Sequence, residues 1–295
     1  MRRAWAPQLA LGVALVALGW GSSLAGLQPV ARYWFEVIWG GWILAADAVV
    51  LARAGRSLLR DHPGRMAVLF AVSAPFWWAF EMLNWHVGNW VYAGAEDFGP
   101  VARPVLKTIA FSTVLPALAE TRDLVRSFVR FPDPPAVRLP GRAGGRAGAV
   151  ALGLGLLGGL LLWLAPGQAF PLMWVAPLLV LDGVADLRGR PSLLGLVAAG
   201  RAGPALVVMA SGLLTGILWE TWNWGADPHW AYRVPHVGFA KLFEMPLLGY
   251  LGYLPFALVA DAATRTVFGG RGELVDGPLT DLGAEQVQAG PQRSR

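Results

Sequence analysis

Apolar residues in this chain come in long runs rather than in strict alternation or narrow helical stripes. Eight runs stand out, over residues 8–26, 33–52, 66–85, 104–121, 147–165, 170–186, 203–222 and 243–263. Most reach the roughly 17–25 residues that a helix needs to cross the hydrocarbon core of a bilayer. The weakest, 170–186, is short and carries Pro177 and Asp182. The pattern predicts an all-α polytopic membrane protein with eight transmembrane helices.

Polar positions inside the runs repeat. Phe80-Glu81-Met82-Leu83-Asn84-Trp85 recurs as Trp219-Glu220-Thr221-Trp222-Asn223-Trp224, and each copy is followed by Trp-x-Tyr, first Trp90 and Tyr92, then Trp230 and Tyr232. Asp47 through Arg53-x-x-x-Ser57-Leu58-Leu59 maps without a gap onto Asp182 through Arg188-x-x-x-Ser192-Leu193-Leu194 at a shift of 135, while the Glu-Asn motif recurs at 139 and Trp-x-Tyr at 140. Such agreement predicts a duplication. Four helices per half is an even number, so both halves start on the same side as parallel repeats, an arrangement in which sites lie at the repeat interface. The expected division is a first repeat over 1–130, a Pro/Gly/Arg linker over 131–146, a second repeat over 147–267 and a polar, disordered tail over 268–295. Met1-Arg2-Arg3, the apolar run and Ser23-Leu24-Ala25 together have the outline of a signal peptide. Residues 147–165 look like a counterpart in the second half, which favours a retained first helix.

Composition agrees with the pattern. Hydrophobic residues make up 55% and charged residues 15% of the 295, against about 25% charged in soluble domains, and mean hydropathy is +0.48. The net charge of +5 is topological rather than a nucleic-acid footprint. With the N-terminus inside, nineteen of the 24 Lys and Arg residues fall on the inner side, as the positive-inside rule requires. This predicts a multi-pass protein of the bacterial inner (cytoplasmic) membrane with both termini cytoplasmic and membrane lipid as its surroundings. The absence of cysteine excludes disulfides and thiolate chemistry.

On this topology Glu81, Asn84, Glu220 and Asn223 lie in the outer third of their helices, and the members of each motif share one helix face. Ionisable residues in such places are functional candidates by default. Glu81 and Glu220 would serve as general acid and base, with Asn84 and Asn223 orienting them. The binding wall would be Trp85, Trp90, Trp222, Trp224, Trp230, Tyr92 and Tyr232, with Glu244, His229 and His236 nearby. A structural reading stands beside this one. Interhelical polar bonds contribute about 0.6–2 kcal/mol, against about 2.5–3.5 kcal/mol for a charge at mid-membrane, so energetics alone does not choose. An interfacial aromatic belt accounts for part of the tryptophan set, but a belt populates both interfaces, and of fifteen tryptophans only Trp5 is plainly cytoplasmic.

Other polar residues suggest less. Asp47 and Asp182 lie nearer the cytoplasmic helix ends, where Arg53 and Arg188 could reach back to pair with them. Glu120 reads as a membrane-edge residue and Asp261 sits in a similar place. Glu36 extends the outer acidic set without a counterpart in the second half. No His-x-x-x-His or His-Glu-x-x-His spacing is present, so no metal is expected. No nucleotide loop or Gly-x-Ser-x-Gly motif is present either, and no cofactor is expected. Glycines such as Gly153 and Gly155 read as close helix packing.

The stretch Trp219-Glu220-Thr221-Trp222-Asn223-Trp224 together with Lys241-Leu242-Phe243-Glu244-Met245-Pro246-Leu247-Leu248-Gly249-Tyr250 resembles a group of uncharacterised bacterial multi-spanning membrane proteins, most clearly over 215–261. No function is carried over from that resemblance. A looser analogy, at the level of fold alone, is with integral membrane terpene cyclases, in which paired acids and aromatic walls handle an isoprenoid. Three readings remain open: an enzyme acting on a lipid or isoprenoid, a transporter using the same acids, and a structural membrane protein.

Overall fold

The computed structural model describes residues 5–129 and 146–268. The expected linker over 131–146 and tail over 268–295 lie almost wholly outside the described residues. Helices α1 (Trp5–Ala25), α2 (Trp34–Ala54), the short α3 (Leu58–Asp61) and α4 (Pro63–Val87) lead to strand β1 (Trp90–Ala93) and to α5 (Ala102–Ser112) and α6 (Val114–Phe128). Then come α7 (Arg146–Leu164), the short α8 (Pro166–Ala169), α9 (Leu172–Leu187), the short α10 (Leu193–Ala198), α11 (Gly203–Asn223), β2 (His229–Tyr232), the two-residue strands β3 (Lys241–Leu242) and β4 (Met245–Pro246), and α12 (Tyr253–Val267). Among the described residues, six helical stretches are long and apolar enough to span a membrane: Trp5–Ala25, Val30–Ala54, Pro63–Val87, Arg146–Leu164, Gly203–Asn223 and Leu247–Val267. They fit an integral membrane protein.

Two of the eight apolar runs take other forms. Run 170–186 becomes α9, a helix of 16 residues with Pro177 inside. Run 104–121 is divided between α5 and α6 at Thr113. Pro116 has no N–H to offer the Ser112 carbonyl and its ring crowds that oxygen, so the helix restarts there. The Ser112 and Thr113 hydroxyls turn back to the carbonyls of Ile109 and Ala110.

α1 packs on α2, and α7 on α9; α6 lies against α2 and α4, and α12 against α9 and α11. Glycine permits the two outer pairings. A Cβ on Gly41 would lie 2.7 Å from the Gly12 carbonyl oxygen, and one on Gly183 would lie 2.7 Å from that of Gly148. α6 also touches α11 and α12.

At one end of the bundle the buried aspartates serve helix starts. Asp47 accepts the Leu59 amide at 2.9 Å, the Ser57 hydroxyl at 2.9 Å and the Gln8 amide at 2.7 Å. Asp182 accepts the Leu193 and Leu194 amides at 2.6 and 3.0 Å and lies 3.6 Å from Arg265, which also bonds Asp261 at 2.8 Å. The expected partners are elsewhere: Arg53 donates to the Ser127 carbonyl and stacks over Phe128. The free N–H groups opening α3 and α10 are fixed, oriented donors at the positive end of a helix, whereas an arginine six residues on must reach back past its own helix terminus. Glu120, expected at the membrane edge, is fully buried beside Thr121, Arg122 and Asp123 in α6.

If Asp47 organises this end, Asp47→Ala leaves a helix start and two side-chain donors unmet. It should lower stability by about 1–3 kcal/mol, read as a fall in the thermal unfolding midpoint of the detergent-solubilised protein.

Candidate functional site

The opposite end is built around a two-stranded ribbon that no hydrophobic pattern announces. β1 and β2 pair antiparallel, with Trp90 opposite Tyr232, Val91 opposite Ala231 and Tyr92 opposite Trp230. Each Trp of one Trp-x-Tyr motif therefore faces the Tyr of the other. The asparagines hold this ribbon to the helix ends. Asn84 donates to the Trp90 carbonyl at 2.8 Å and accepts the Trp90 amide at 3.1 Å. Asn223 treats Trp230 the same way, at 2.8 and 2.9 Å. A carboxamide presents an N–H donor and an acceptor oxygen side by side, and here it completes a two-bond bracket with a backbone that would otherwise be unpaired.

The glutamates accept from the aromatic residues so placed. Glu81 Oε1 accepts the Trp90 indole N–H at 2.9 Å and the Tyr92 hydroxyl at 2.7 Å, and Lys107 Nζ lies 3.3 Å from Oε2. Lys107 also sits 3.7 Å above the Tyr92 ring. Glu220 Oε1 accepts the hydroxyls of Tyr232 and Tyr253, each at 2.7 Å. The Trp230 indole donates instead to the Tyr232 oxygen at 2.9 Å. Among the described residues, Glu220 Oε2 has no hydrogen-bond partner. The two sites are thus alike in outline and different in charge, since among the described residues only Glu81 has a cation beside it. Burial, reinforced by the neighbouring glutamate, holds the Tyr92 and Tyr232 hydroxyls well above the usual phenol value, so both remain protonated donors.

In front of this layer lies a cavity of about 450 Å³. Its wall is mainly ring: Trp34, Phe35, Trp77, Trp90, Phe111, Trp174, Trp219, Trp230 and Phe256, with Tyr92, Tyr232 and Tyr253 presenting phenols. Arg32, Glu36, Asn89, Arg103, Lys107 and His229 supply the charged and polar lining. Edge and stacked contacts fix the rings. Trp34 stacks on Trp230 at 6.0 Å and donates its indole N–H to the Pro228 carbonyl at 2.8 Å; Trp77 lies 5.6 Å from Phe256.

The expected site residues divide. Trp90, Trp230, Tyr92, Tyr232 and His229 line the cavity. Glu81, Glu220, Asn84 and Asn223 lie behind the lining, bonded to it. Trp85 and Trp224 are 72% and 53% exposed and lie outside the lining. Trp222 packs against Trp39 at 5.0 Å in the layer beneath. His236 is exposed and Glu244 half-buried, both outside the lining. Tyr253, Lys107, Trp34, Trp77 and Trp174 were not anticipated. Lys107, a lone cation within an apolar run, carried a usable signal. Among the described residues no three His, Asp or Glu side chains are grouped so as to hold a metal ion. Comparison with protein-family models, curated proteins and solved structures finds no match.

The Lys107–Glu81 pair is partly screened, with Lys107 23% exposed. Lys107→Met should destabilise the protein, and much less so in a Glu81→Gln background. A double-mutant cycle on unfolding free energies should return a coupling of about 1–2 kcal/mol.

Proposed function

We propose that the chain is a bacterial inner-membrane protein of eight spanning helices in two tandem parallel repeats, which binds a lipid- or isoprenoid-class molecule in the aromatic cavity and performs acid–base chemistry on it there. The basic inner loops support an outer-face position for that cavity. Support for the repeat comes from the recurring Asn brackets, the Asp contacts to α3 and α10, and the glycine contacts of α1 with α2 and of α7 with α9.

The cavity itself carries the functional reading. It has the volume of a small-molecule site, and its wall is ring on most sides, with protonated phenols and a few charged groups at fixed points. Such a wall accommodates an apolar chain or ring system, and its π faces attract positive charge that develops on it. Glu81 and Glu220 act on this wall rather than on the ligand, by fixing the phenol and indole donors.

A transport reading needs a polar route from the cavity to Asp47 and Asp182. Along α2 the order is Glu36 at the cavity, Trp39 and Trp42 in the aromatic middle, then Asp47. Trp39 packs against Trp219 at 5.3 Å and Trp77 against Trp219 at 5.8 Å, which gives the middle of the bundle a wall of rings. Chemistry within one compartment is therefore favoured over passage.

Six of the cavity-wall rings are tryptophans, so a bound heavy-atom quencher is directly visible. A dibrominated stearate methyl ester should quench the purified protein saturably. Ala110→Phe, which fills the cavity from α5, should weaken that quenching several-fold. Quenching that rises linearly and equally in both proteins would contradict a binding cavity.

A further inference from the structure

The cavity wall holds one carboxyl among the described residues, and it comes from neither Glu-Asn motif. Glu36, in the first turn of α2, is half-buried and lines the cavity. Glu81 and Glu220 are 1% and 0% exposed and are closed off by Trp90, Tyr92, Tyr232 and Tyr253. Their lone pairs face the protein. Glu36 differs: among the described residues, no other residue's donor or cation engages its carboxyl.

The cations of the same wall are already committed. Arg32, one helical turn earlier, donates to the Asp97 carbonyl at 2.9 Å and lies 4.4 Å over the Phe98 ring. Arg103 donates to the Glu96 carbonyl at 3.0 Å, and Lys107 bonds Glu81. These three still contribute positive potential, which disfavours an ammonium ligand. The Glu36 carboxylate, in turn, disfavours a carboxylate or phosphate beside it. A neutral head that donates a hydrogen bond satisfies both conditions, because a half-buried carboxylate retains strong acceptor capacity for a hydroxyl.

We infer that Glu36 is the ligand-contacting acid–base residue of the cavity, and that it meets the hydroxyl of a long-chain or isoprenoid alcohol whose apolar body lies among the rings. This rests on the binding reading above and deepens it, since it moves the reacting carboxyl away from the duplicated motifs. The step open to Glu36 is a proton exchange with that hydroxyl, in which one O–H bond breaks as the other forms and no bond to carbon changes.

Two measurements on the full chain test this. Dicyclohexylcarbodiimide is an apolar reagent that a carboxylic acid adds across to leave a stable N-acylurea. Peptide mass spectrometry should find the adduct on Glu36, and farnesol should protect against it better than farnesyl methyl ether, which lacks the hydroxyl proton. Labelling that spares Glu36, or that falls equally on Glu81 and Glu220, would overturn the inference. In the second measurement, farnesol should displace the dibrominated ester at several-fold lower concentration than the methyl ether does. Glu36→Leu should abolish that difference while the ester still quenches saturably. A retained farnesol preference in the variant sinks the role of Glu36 and leaves the cavity standing. Absence of saturable quenching in the wild-type protein sinks the cavity, and this inference with it.

Discussion

Two carboxyl groups sealed at the ends of apolar helices impose the constraint that the rest of this end of the molecule answers. A buried carboxylate without donors is strongly unfavourable, and within an apolar helix end the backbone has no N–H to spare. The donors come from outside the helices: an indole and a phenol for Glu81, and two phenols for Glu220. Those side chains can converge only if Trp90–Tyr92 and Trp230–Tyr232 are drawn back over the helix ends, and the Asn84 and Asn223 brackets do this through the Trp backbone. Once both segments lie there, pairing with each other satisfies their remaining backbone groups. The ribbon, the ring wall and the cavity thus follow from one electrostatic requirement met twice.

The same requirement is met differently at the other end. There Asp47 and Asp182 are satisfied by the amides that open α3 and α10, with Arg265 bridging Asp182 and Asp261. Between the two ends Trp39 meets Trp219 and Trp222 edge to face, Trp77 meets Phe256 edge to face, and Trp77 lies tilted against Trp219. Rings of this size bury large areas at fixed geometry, so the middle layer holds the bundle together while keeping two polar regions apart.

Much of this was legible from spacing. The apolar runs gave the long helices because a spanning helix has a length requirement that residues 8–26 or 203–222 meet directly. The recurring Glu-x-x-Asn and Trp-x-Tyr mark the end of the molecule where the ribbon forms, since polar residues are rarely retained in such runs without partners. What spacing did not carry was direction. Trp85 and Trp224 belong to the motifs, yet they are exposed: Trp85 lies about 100° around α4 from Asn84, and Trp224 follows the end of α11 on extended backbone. The pairing of β1 with β2 joins residues 136 to 142 apart and leaves no trace in either four-residue segment. Lys107 and Glu36 have no partner at the shift by which the motifs recur, so spacing does not single them out.

Because the chain contains no cysteine, the central claim can be tested with one engineered pair. In the ribbon, Val91 and Ala231 are directly opposed, and opposed residues of an antiparallel pair have Cα atoms about 4.5–5.5 Å apart, within the range that a disulfide spans. Val91→Cys combined with Ala231→Cys should crosslink within one chain under mild oxidation in native membranes, changing the electrophoretic mobility of the monomer, while neither single variant does so. Failure of the double variant to crosslink, or crosslinking only between separate chains, would mean that the two Trp-x-Tyr segments do not meet and that the cavity is not built as described.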